Sequence, residues 1–306
     1  MQCSKNTLSI AGKKKSRFPV SRIVVHTIMI LIMLLCFLPF VLILSTSFAS
    51  KHSIMQYGYT FFPHEISLDA YKYILSNASQ IAQAYALTVF VACVGTAVGV
   101  LCMTMFAYAI SRDDYRLKNA LSLLIYFPLL FNGGMVSTYI WISGYLKLSN
   151  TVWALILPMM INSFYIFVLR ISCKNVPVSL IENAKIEGAG ELRIFFYIII
   201  PLIKTGIATV ALLQFFNYWN EWFLSMMYMD GNKLVTLQYF LVRVFDSIEF
   251  AKANVGASGG LLNLADLPDD SIRMAICVLV AGPMLCIFPF FQKYFVKGVA
   301  VGAVKG

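Results

Sequence analysis

The chain has 306 residues, of which 59% are hydrophobic and only 12% are charged, and its formal net charge at pH 7 is +10. Soluble domains carry about 25% charged and about 45–50% apolar residues, so this composition excludes an ordinary water-soluble protein. The basic residues lie at the ends of apolar runs, where lipid headgroups and membrane topology account for them. The net charge therefore does not indicate a protein that binds nucleic acid.

Six apolar runs reach the length of about 20 residues that a helix needs to cross a bilayer. The runs cover residues 23–48, 82–110, 117–142, 151–173, 197–229 and 274–295. The first run exceeds the about 7–15 apolar residues of a signal peptide, which favours a helix that is retained in the mature chain. The sequence therefore predicts an all-α, polytopic membrane protein with six transmembrane helices.

Six crossings place both termini on one side of the membrane, and most of the 24 lysines and arginines fall on that side. Cytoplasmic loops carry an excess of these residues, so both termini are predicted to be cytoplasmic. The predicted organisation is an N-terminal cytoplasmic tail over residues 1–22, a transmembrane domain over 23–296 and a C-terminal cytoplasmic tail over 297–306.

A polar segment with two glycines, at about residues 174–196, interrupts this apolar pattern, and we call it the knuckle. Pro177 suits the first turn of a helix, which we expect to continue to about Glu187. Gly188 permits a left-handed turn, and a second helix then leads into the membrane as far as Pro201. From these residues alone, a docking element and an ordinary interfacial loop helix are both open interpretations.

The knuckle resembles the EAA loop in the permease subunits of ATP-binding-cassette importers, whose pattern is roughly E-A-A-x-x-D-G-A-G followed by an aromatic residue and an I-x-L-P end. The residues that match directly are Glu182, Ala184, Gly188, Ala189, Gly190, Phe195 and Pro201. Asn183 and Glu187 depart from the pattern, although Glu187 keeps the negative charge of the usual aspartate. The resemblance implies that the residues coupling this chain to an ATPase are Glu182, Ala184, Glu187, Gly188, Ala189 and Gly190.

Four further stretches look like the carbohydrate-uptake branch of these permeases, closest to the part that handles complex polysaccharides and oligosaccharides. They are "FNGGMVSTYI" at 131–140, "NTVWALILP" at 150–158, "YWNEWF" at 218–223 and "FPFFQKYFVKGVAVGAVKG" at 288–306. The resemblance implies the fold of a type I ABC importer permease in the plasma membrane of a bacterium. It also implies import, for which the residues themselves give no independent indication.

The same resemblance implies a set of partners. They are a second homologous permease subunit, two cytoplasmic ATPase subunits, an extracellular solute-binding protein (lipid-anchored or periplasmic), an oligosaccharide substrate and membrane lipid. No GxxxxGK[ST] phosphate loop occurs in the chain. ATP and Mg are therefore expected on the partner ATPase, and this chain is expected to be a transport subunit without a cofactor, not an enzyme.

The fifth predicted span contains the stretch "FFNYWNEWFLSMMY" at 215–228, which mixes flat aromatic side chains with polar groups. Sugar sites use such mixtures, and a charged group at mid-membrane costs at least about 2.5 kcal/mol unless it faces a cavity or a partner. The candidate substrate-path residues are Asn217, Tyr218, Trp219, Asn220, Glu221 and Trp222. Hydrogen bonds between helices and aromatic anchoring at the membrane interface are the alternatives for this stretch.

Two other classes of protein compete with an ATP-driven permease. A gradient-driven secondary transporter usually carries membrane-embedded charges in both halves, whereas only Glu221 stands out here. An intramembrane enzyme needs a catalytic constellation, but His26, His52 and His64 are isolated and no HExxH motif occurs. The seven cysteines form no CxxC motif or Cys/His cluster, so neither a metal site nor a disulfide framework is predicted.

Overall fold

The computed structural model describes residues 20–76, 78–231, 234–257 and 270–303. These residues are almost entirely helical, and an isolated antiparallel bridge joins Ala49 to Ile66. In chain order the α-helices are α1 (Val20–Ser47), α2 (Lys51–Tyr57), α3 (Asp69–Ser76), α4 (Ala78–Ser111), α5 (Lys118–Leu130), α6 (Gly134–Tyr139), α7 (Val152–Ile156), α8 (Ser163–Lys174), α9 (Val178–Ile186), α10 (Glu191–Ile194), α11 (Ile200–Leu202), α12 (Lys204–Trp219), α13 (Phe223–Tyr228), α14 (Leu237–Ala257) and α15 (Asp270–Ala303). Two π-helical turns (Ile140–Tyr145 and Phe195–Ile199) and a short 3₁₀ turn (Leu157–Met159) continue these helices.

Three helices of the described chain are long and apolar enough to cross a membrane as single rods: α1, α4 and the first part of α15. Two further spans are possible if two bent pairs each cross once, namely Val152–Met159 with Ser163–Lys174 at 55° and Glu191–Leu202 with Lys204–Trp219 at 82°. The all-α membrane fold is confirmed. The predicted count of six continuous spans is not reproduced, because the described residues contain three to five.

The predicted span over 117–142 is wrong as one continuous helix. Helix α5 ends at Leu130 after 13 residues, and the chain restarts at Gly134 as α6. Gly134 has a left-handed backbone with φ of 79°, and its N–H donates to the side-chain oxygen of Asn132 at 2.9 Å. This hydrogen bond gives the Gly134 N–H an acceptor between the two helices, and the turn changes the direction of the chain before α6.

The predicted span over 197–229 is also wrong as a single rod. The chain bends by 82° at Ile203, just after Pro201, and α12 then ends at Trp219. Proline has no N–H to donate, which weakens the helix ladder where the bend occurs. The residues after Trp219 form the separate short helix α13.

Helix α4 is the central rod, with α8 and α12 packed along it. Its 34 residues span about 50 Å at about 1.5 Å per residue. One buried cluster joins its C-terminal half to α8, α9 and the Phe195–Ile199 turn, and another joins Ala84 near its N-terminus to α3, α14 and α15. The two ends of α4 therefore lie in different structural environments on opposite sides of the bundle.

Two glycines of α4, Gly95 and Gly99, are four positions apart in a GxxxG spacing, and they permit this close packing. A methyl group at Gly95 would lie 2.5 Å from the ring of Tyr218, and one at Gly99 would lie 2.6 Å from the carbonyl oxygen of Met160. Gly95 thus faces the end of α12, and Gly99 faces the bend between α7 and α8. Small residues allow this approach of backbone and ring where a larger side chain would separate the helices.

We expect Gly95→Ala to lower the apparent unfolding temperature of the protein purified in detergent, because its new methyl group must displace the Tyr218 ring. Overpacking of this kind costs about 1–3 kcal/mol. The control is Gly282→Ala in α15, where an added methyl group meets no atom within 4 Å. Equal unfolding temperatures for both variants would contradict the close packing of α4 on α12.

Candidate functional site

The knuckle has the turn that the sequence predicts. Helix α9 ends with Glu187 as its C-cap, and Gly188 follows with φ of 82°. The N–H of Gly188 donates to the carbonyl of Lys185 at 3.0 Å, and the N–H of Ala189 donates to the carbonyl of Ala184 at 2.9 Å. These two bonds form a Schellman motif, which ends the helix sharply and satisfies its last carbonyl groups.

The motif residues divide between the two faces of α9. Ala184 is buried together with Ile181, in the cluster that includes α8 and the end of α4. The exposed members of the motif are Glu182, Glu187, Gly188 and Gly190, and Ala189 is half-buried. The knuckle therefore has one face fixed to the bundle and another that is free to meet a partner.

The apolar residues of the knuckle differ in exposure. From the sequence, Ile181, Ala184 and Ile186 are expected to form the apolar side of α9, but only the first two are buried, and Ile186 is 85% exposed at the end of the helix. Leu192 and Phe196, which the second helix is expected to carry toward the membrane, are exposed on the surface of the bundle, whereas Phe195 is buried. A π-helical turn follows at Phe195–Ile199 and contains the buried Phe195 and Ile199.

A network of charged and polar side chains attaches the knuckle to the C-terminal end of α4. Lys185 donates to Glu191 at 2.7 Å and to Asp114 at 3.1 Å. Arg112 holds Asp114 through two hydrogen bonds of 2.8 Å and 2.5 Å, and the hydroxyl of Tyr108 donates to Glu191 at 2.7 Å. Residues from α4, the loop after it and both sides of the knuckle turn thus share one network.

The electrostatics of this network favour its charged form. The Arg112 guanidinium, helped by Lys185, holds the pKa of Asp114 well below its usual range. Hydrogen bonds to Glu191 and Asp114 raise the pKa of Lys185. From the sequence, Lys185 is expected only to face water on α9. The sequence does not reveal the network, because the Lys185–Asp114 and Tyr108–Glu191 contacts join residues that are 71 and 83 positions apart.

The first half of the candidate substrate-path stretch packs inside the bundle, beside the middle of α4. The buried Tyr218 ring fills the space left by Gly95, and its hydroxyl donates to the carbonyl of Ile156 at 2.8 Å. Asn217 donates from its side chain to the hydroxyl of Tyr165 at 2.9 Å. These contacts match the alternative in which polar groups of this stretch join helices.

Trp219 is 2% exposed and packs on Phe215 and Tyr85. Its indole Nε1 is buried, and no residue that the structure describes accepts a hydrogen bond from it. A buried donor without a partner costs free energy, so this N–H is an unfavourable feature of the bundle interior.

The second half of the stretch leaves the helix. Asn220 is the exposed C-cap of α12, and its side-chain oxygen accepts from Gln238 at 3.2 Å. Glu221 accepts a hydrogen bond from the N–H of Leu224 at 2.8 Å, at the start of α13. This hydrogen bond at the helix start stabilises the negative charge of the carboxylate. The neighbouring Trp222 side chain is 40% exposed.

A cavity of about 450 Å³ opens beside these residues, between α1, α12, α14 and α15. Asn220 and Gln238 contribute polar side chains, Trp219 contributes aromatic surface, and the remaining walls are mostly apolar. The cavity thus combines aromatic surface with a few hydrogen-bonding groups, which is the usual character of a small-molecule site. Gln238 was not among the residues that sequence reasoning selected.

No group of three or more His, Cys, Asp or Glu side chains that could hold a metal ion occurs in the part of the chain that the structure describes.

Comparisons with known proteins agree with this geometry. The family described as "Binding-protein-dependent transport system inner membrane component" matches residues 114–301. The chain is 34% identical to the polygalacturonan/rhamnogalacturonan transport system permease protein YtcP of Bacillus subtilis (strain 168), over 92% of this chain and 97% of that protein. It is 35% identical to Protein LplC of the same organism, over 88% of this chain and 89% of that protein.

Among solved structures, the chain is similar to one from a bacterial ABC transporter involved in the import of the acidic polysaccharide alginate. The TM-score is 0.79 at 26% identity, and the match covers 90% of this chain and 96% of that chain. The predicted resemblance to importer permeases is thus confirmed over most of the sequence. This chain belongs to the family of inner membrane components of binding-protein-dependent transport systems, and it is a transport permease subunit, not an enzyme.

Proposed function

We propose that this permease moves oligosaccharides across the bacterial plasma membrane, driven by ATPase subunits that dock on the knuckle. The observation that carries the proposal is the knuckle itself, whose motif face is exposed while its other face is fixed to the bundle. Both termini are cytoplasmic in this proposal, so the knuckle end of α4 faces the cytoplasm.

The substrate class that we propose is an oligosaccharide derived from an acidic polysaccharide. Support comes from one relative named for polygalacturonan and rhamnogalacturonan transport and from the similar structure described for alginate import. Other relatives are named for neutral oligosaccharides, among them arabinooligosaccharides and raffinose, but they are less similar to this chain.

The exposed motif residues are those that we assign to ATPase contact. Glu182, Glu187 and Gly188 lie on the free surface, with Ile186 beside them as an exposed apolar tip. A methyl group added at Gly190 would meet no atom within 4 Å, so nothing inside the described chain requires glycine there. Close approach of a partner is a physical reason for a glycine at that position.

The remaining partners follow from the same proposal. They are a second homologous permease, two ATPase subunits that carry ATP and Mg, and a lipid-anchored or periplasmic solute-binding protein that delivers the sugar. Helix α1 exposes apolar side chains along its length, which suits lipid or the second permease. ATP binding shifts the transporter between inward-open and outward-open states only to the extent that it binds one state more tightly.

In this proposal the charged network transmits motion from the knuckle to the membrane. Asp114 and Arg112 follow directly after α4, and Lys185 holds Asp114 from the knuckle. A movement of α9 therefore displaces the end of the central rod through ion pairs as well as through the buried Ile181 and Ala184. Exposed ion pairs contribute only about 0–1 kcal/mol to folding, so their effect on coupling can be measured separately from stability.

We expect Glu182→Gln and Gly188→Ala each to reduce ATPase association and sugar-stimulated ATP hydrolysis severalfold in the assembled importer. Gly188→Ala strains a left-handed residue by about 1 kcal/mol, which distorts the turn, and Glu182→Gln removes a surface charge. Arg116→Gln is the control, because it removes one exposed charge near the same end of α4. Unchanged coupling in both knuckle variants would refute their role.

We also expect Lys185→Met to uncouple transport, with less uptake for each ATP hydrolysed, while the unfolding temperature changes little. In a double-mutant cycle with Glu191→Gln, the two losses should be less than additive because both variants break the same 2.7 Å pair.

Lys72→Met is the matched control for this cycle, since it breaks the exposed pair with Asp69 in α3. Additive losses for Lys185→Met and Glu191→Gln, or an equal effect of Lys72→Met, would exclude the network from coupling.

The cavity beside Trp219 is our proposed part of the substrate path. Asn220→Leu removes an exposed amide that lines the cavity, and we expect about a fivefold loss of apparent affinity for the transported sugar, the worth of one hydrogen bond. Trp219→Phe, which reduces the aromatic wall, should act in the same direction. Permease levels in the membrane should stay normal for both variants.

Tyr228→Phe is the matched control, because it removes a buried hydroxyl that also has no partner among the described residues but does not line this cavity. If Tyr228→Phe and Trp219→Phe change sugar affinity equally, the cavity has no special role. Normal transport by both Trp219→Phe and Asn220→Leu would show that these residues only pack against neighbouring helices and do not contact the sugar.

A further inference from the structure

A second pocket lies at the end of α4 that is opposite the knuckle. Its volume is about 220 Å³, and it lies between the first turns of α4 and helix α14. Gln80, Gln83, Arg243 and Ser247 contribute its polar side chains, and Phe240 contributes an aromatic wall. None of these residues takes part in the knuckle or in the cavity beside Trp219.

Arg243 is a cation without an acidic partner in this pocket. Among the residues that the structure describes, it makes no ion pair, and its guanidinium reaches only the carbonyl of Gly231 at 3.5 Å and the ring of Tyr239 at 5.9 Å. Asp246 lies one helical turn away, and no ion pair joins the two within the described chain. By contrast, Arg273 on α15 is paired with Glu249 of α14 at 3.7 Å.

The side chains around Arg243 fit a sugar that carries a carboxylate. A guanidinium offers two parallel N–H groups to a carboxylate, which gives stronger and more directional bonding than a neutral pair. The amides of Gln80 and Gln83 and the hydroxyl of Ser247 can each donate to or accept from sugar hydroxyl groups. The Phe240 ring and the side chain of Val235 supply apolar surface for the face of a pyranose ring.

The size of the pocket limits what it holds. At about 220 Å³ it is smaller than the about 300–1,000 Å³ of sites that enclose drug-sized ligands. It therefore suits one sugar unit of a longer chain. In the proposed orientation this pocket faces the outside, where the sugar arrives.

We propose that the pocket of Arg243, Gln80, Gln83 and Ser247 binds one uronate unit of an acidic oligosaccharide as the sugar enters the permease. The inference rests on the proposed function, in which the sugar is delivered to this end of α4. Arg243 selects the charge and the two glutamines select the hydroxyl groups. An acidic side chain of the binding protein is the competing occupant, and the experiment separates it from the sugar.

The test uses the full-length chain, assembled with its partner permease and ATPases in lipid nanodiscs. The two probes are trigalacturonate and its fully methyl-esterified form, which keeps the ring, linkage and length but removes the negative charges. We expect Arg243→Gln to weaken trigalacturonate binding about tenfold or more, as for the loss of a charge-assisted hydrogen bond. Binding of the methyl ester should be unchanged, and Arg243→Lys should be intermediate.

The matched control is Lys147→Asn, which removes another exposed positive charge from the same end of the bundle, where Asn150 contacts Asp230. Lys147 has φ of 51°, and asparagine tolerates this left-handed conformation. This variant should bind both probes as the wild type does. Gln83→Leu should weaken both probes, because its amide contacts hydroxyl groups and not the carboxylate.

Three results for Arg243→Gln would overturn the proposal. The first is unchanged binding of trigalacturonate, and the second is equal weakening of both probes. The third is normal binding of free sugar together with loss of the ATP hydrolysis that the binding protein stimulates. The last result would assign Arg243 to the binding protein. If the wild type imports a neutral oligosaccharide but does not bind trigalacturonate, the pocket proposal fails and the importer function stands. If the assembled wild type imports no oligosaccharide at all, the proposed function itself fails.

Discussion

The close packing of α4 against α8 and α12 is the constraint on which the rest of the molecule depends. Gly95 admits the ring of Tyr218 and Gly99 admits the carbonyl of Met160, so the two bent helix pairs lie directly against a straight rod. Because helices in close contact do not deform continuously, a displacement at one end of such a rod is carried along it. Three sites lie along this one helix: the knuckle at one end, the 217–222 stretch beside the middle and the Arg243 pocket at the other end.

The polar groups of the bundle have different roles according to whether their hydrogen bonds are complete. Tyr218 and Asn217 are satisfied by Ile156 and Tyr165, so they fix the positions of helices. The indole N–H of Trp219 is buried and has no acceptor among the described residues, which is costly in a low-dielectric interior. Arg243 is exposed, donates to the carbonyl of Gly231 and has no acidic partner among the described residues, so its positive charge can bind an anionic ligand in the pocket that it lines.

The turn of the knuckle could be predicted because its determinants are local. Gly188 has the left-handed backbone that its position after Glu187 requires, and Ala184 and Ala189 complete the turn within six residues. The charged network could not be predicted, since Lys185, Asp114 and Tyr108 come from segments far apart in sequence. Continuous spans were predicted over 117–142 and 197–229 because hydropathy measures apolar length. It does not register that Gly134 and the region after Pro201 redirect the helix axis.

The sequence by itself determined the membrane environment, the all-α class, the position of the knuckle turn and the family, since these depend on composition, apolar run length and local motif residues. Only the tertiary structure decided which face of α9 is exposed, which polar groups of the 217–222 stretch are satisfied and where cavities remain. It also brought Gln80 and Gln83 of α4 beside Arg243 of α14. The physical reason is that side-chain pairing and burial are set by contacts between helices that are distant along the chain, whereas hydropathy and turn chemistry are set within a few residues.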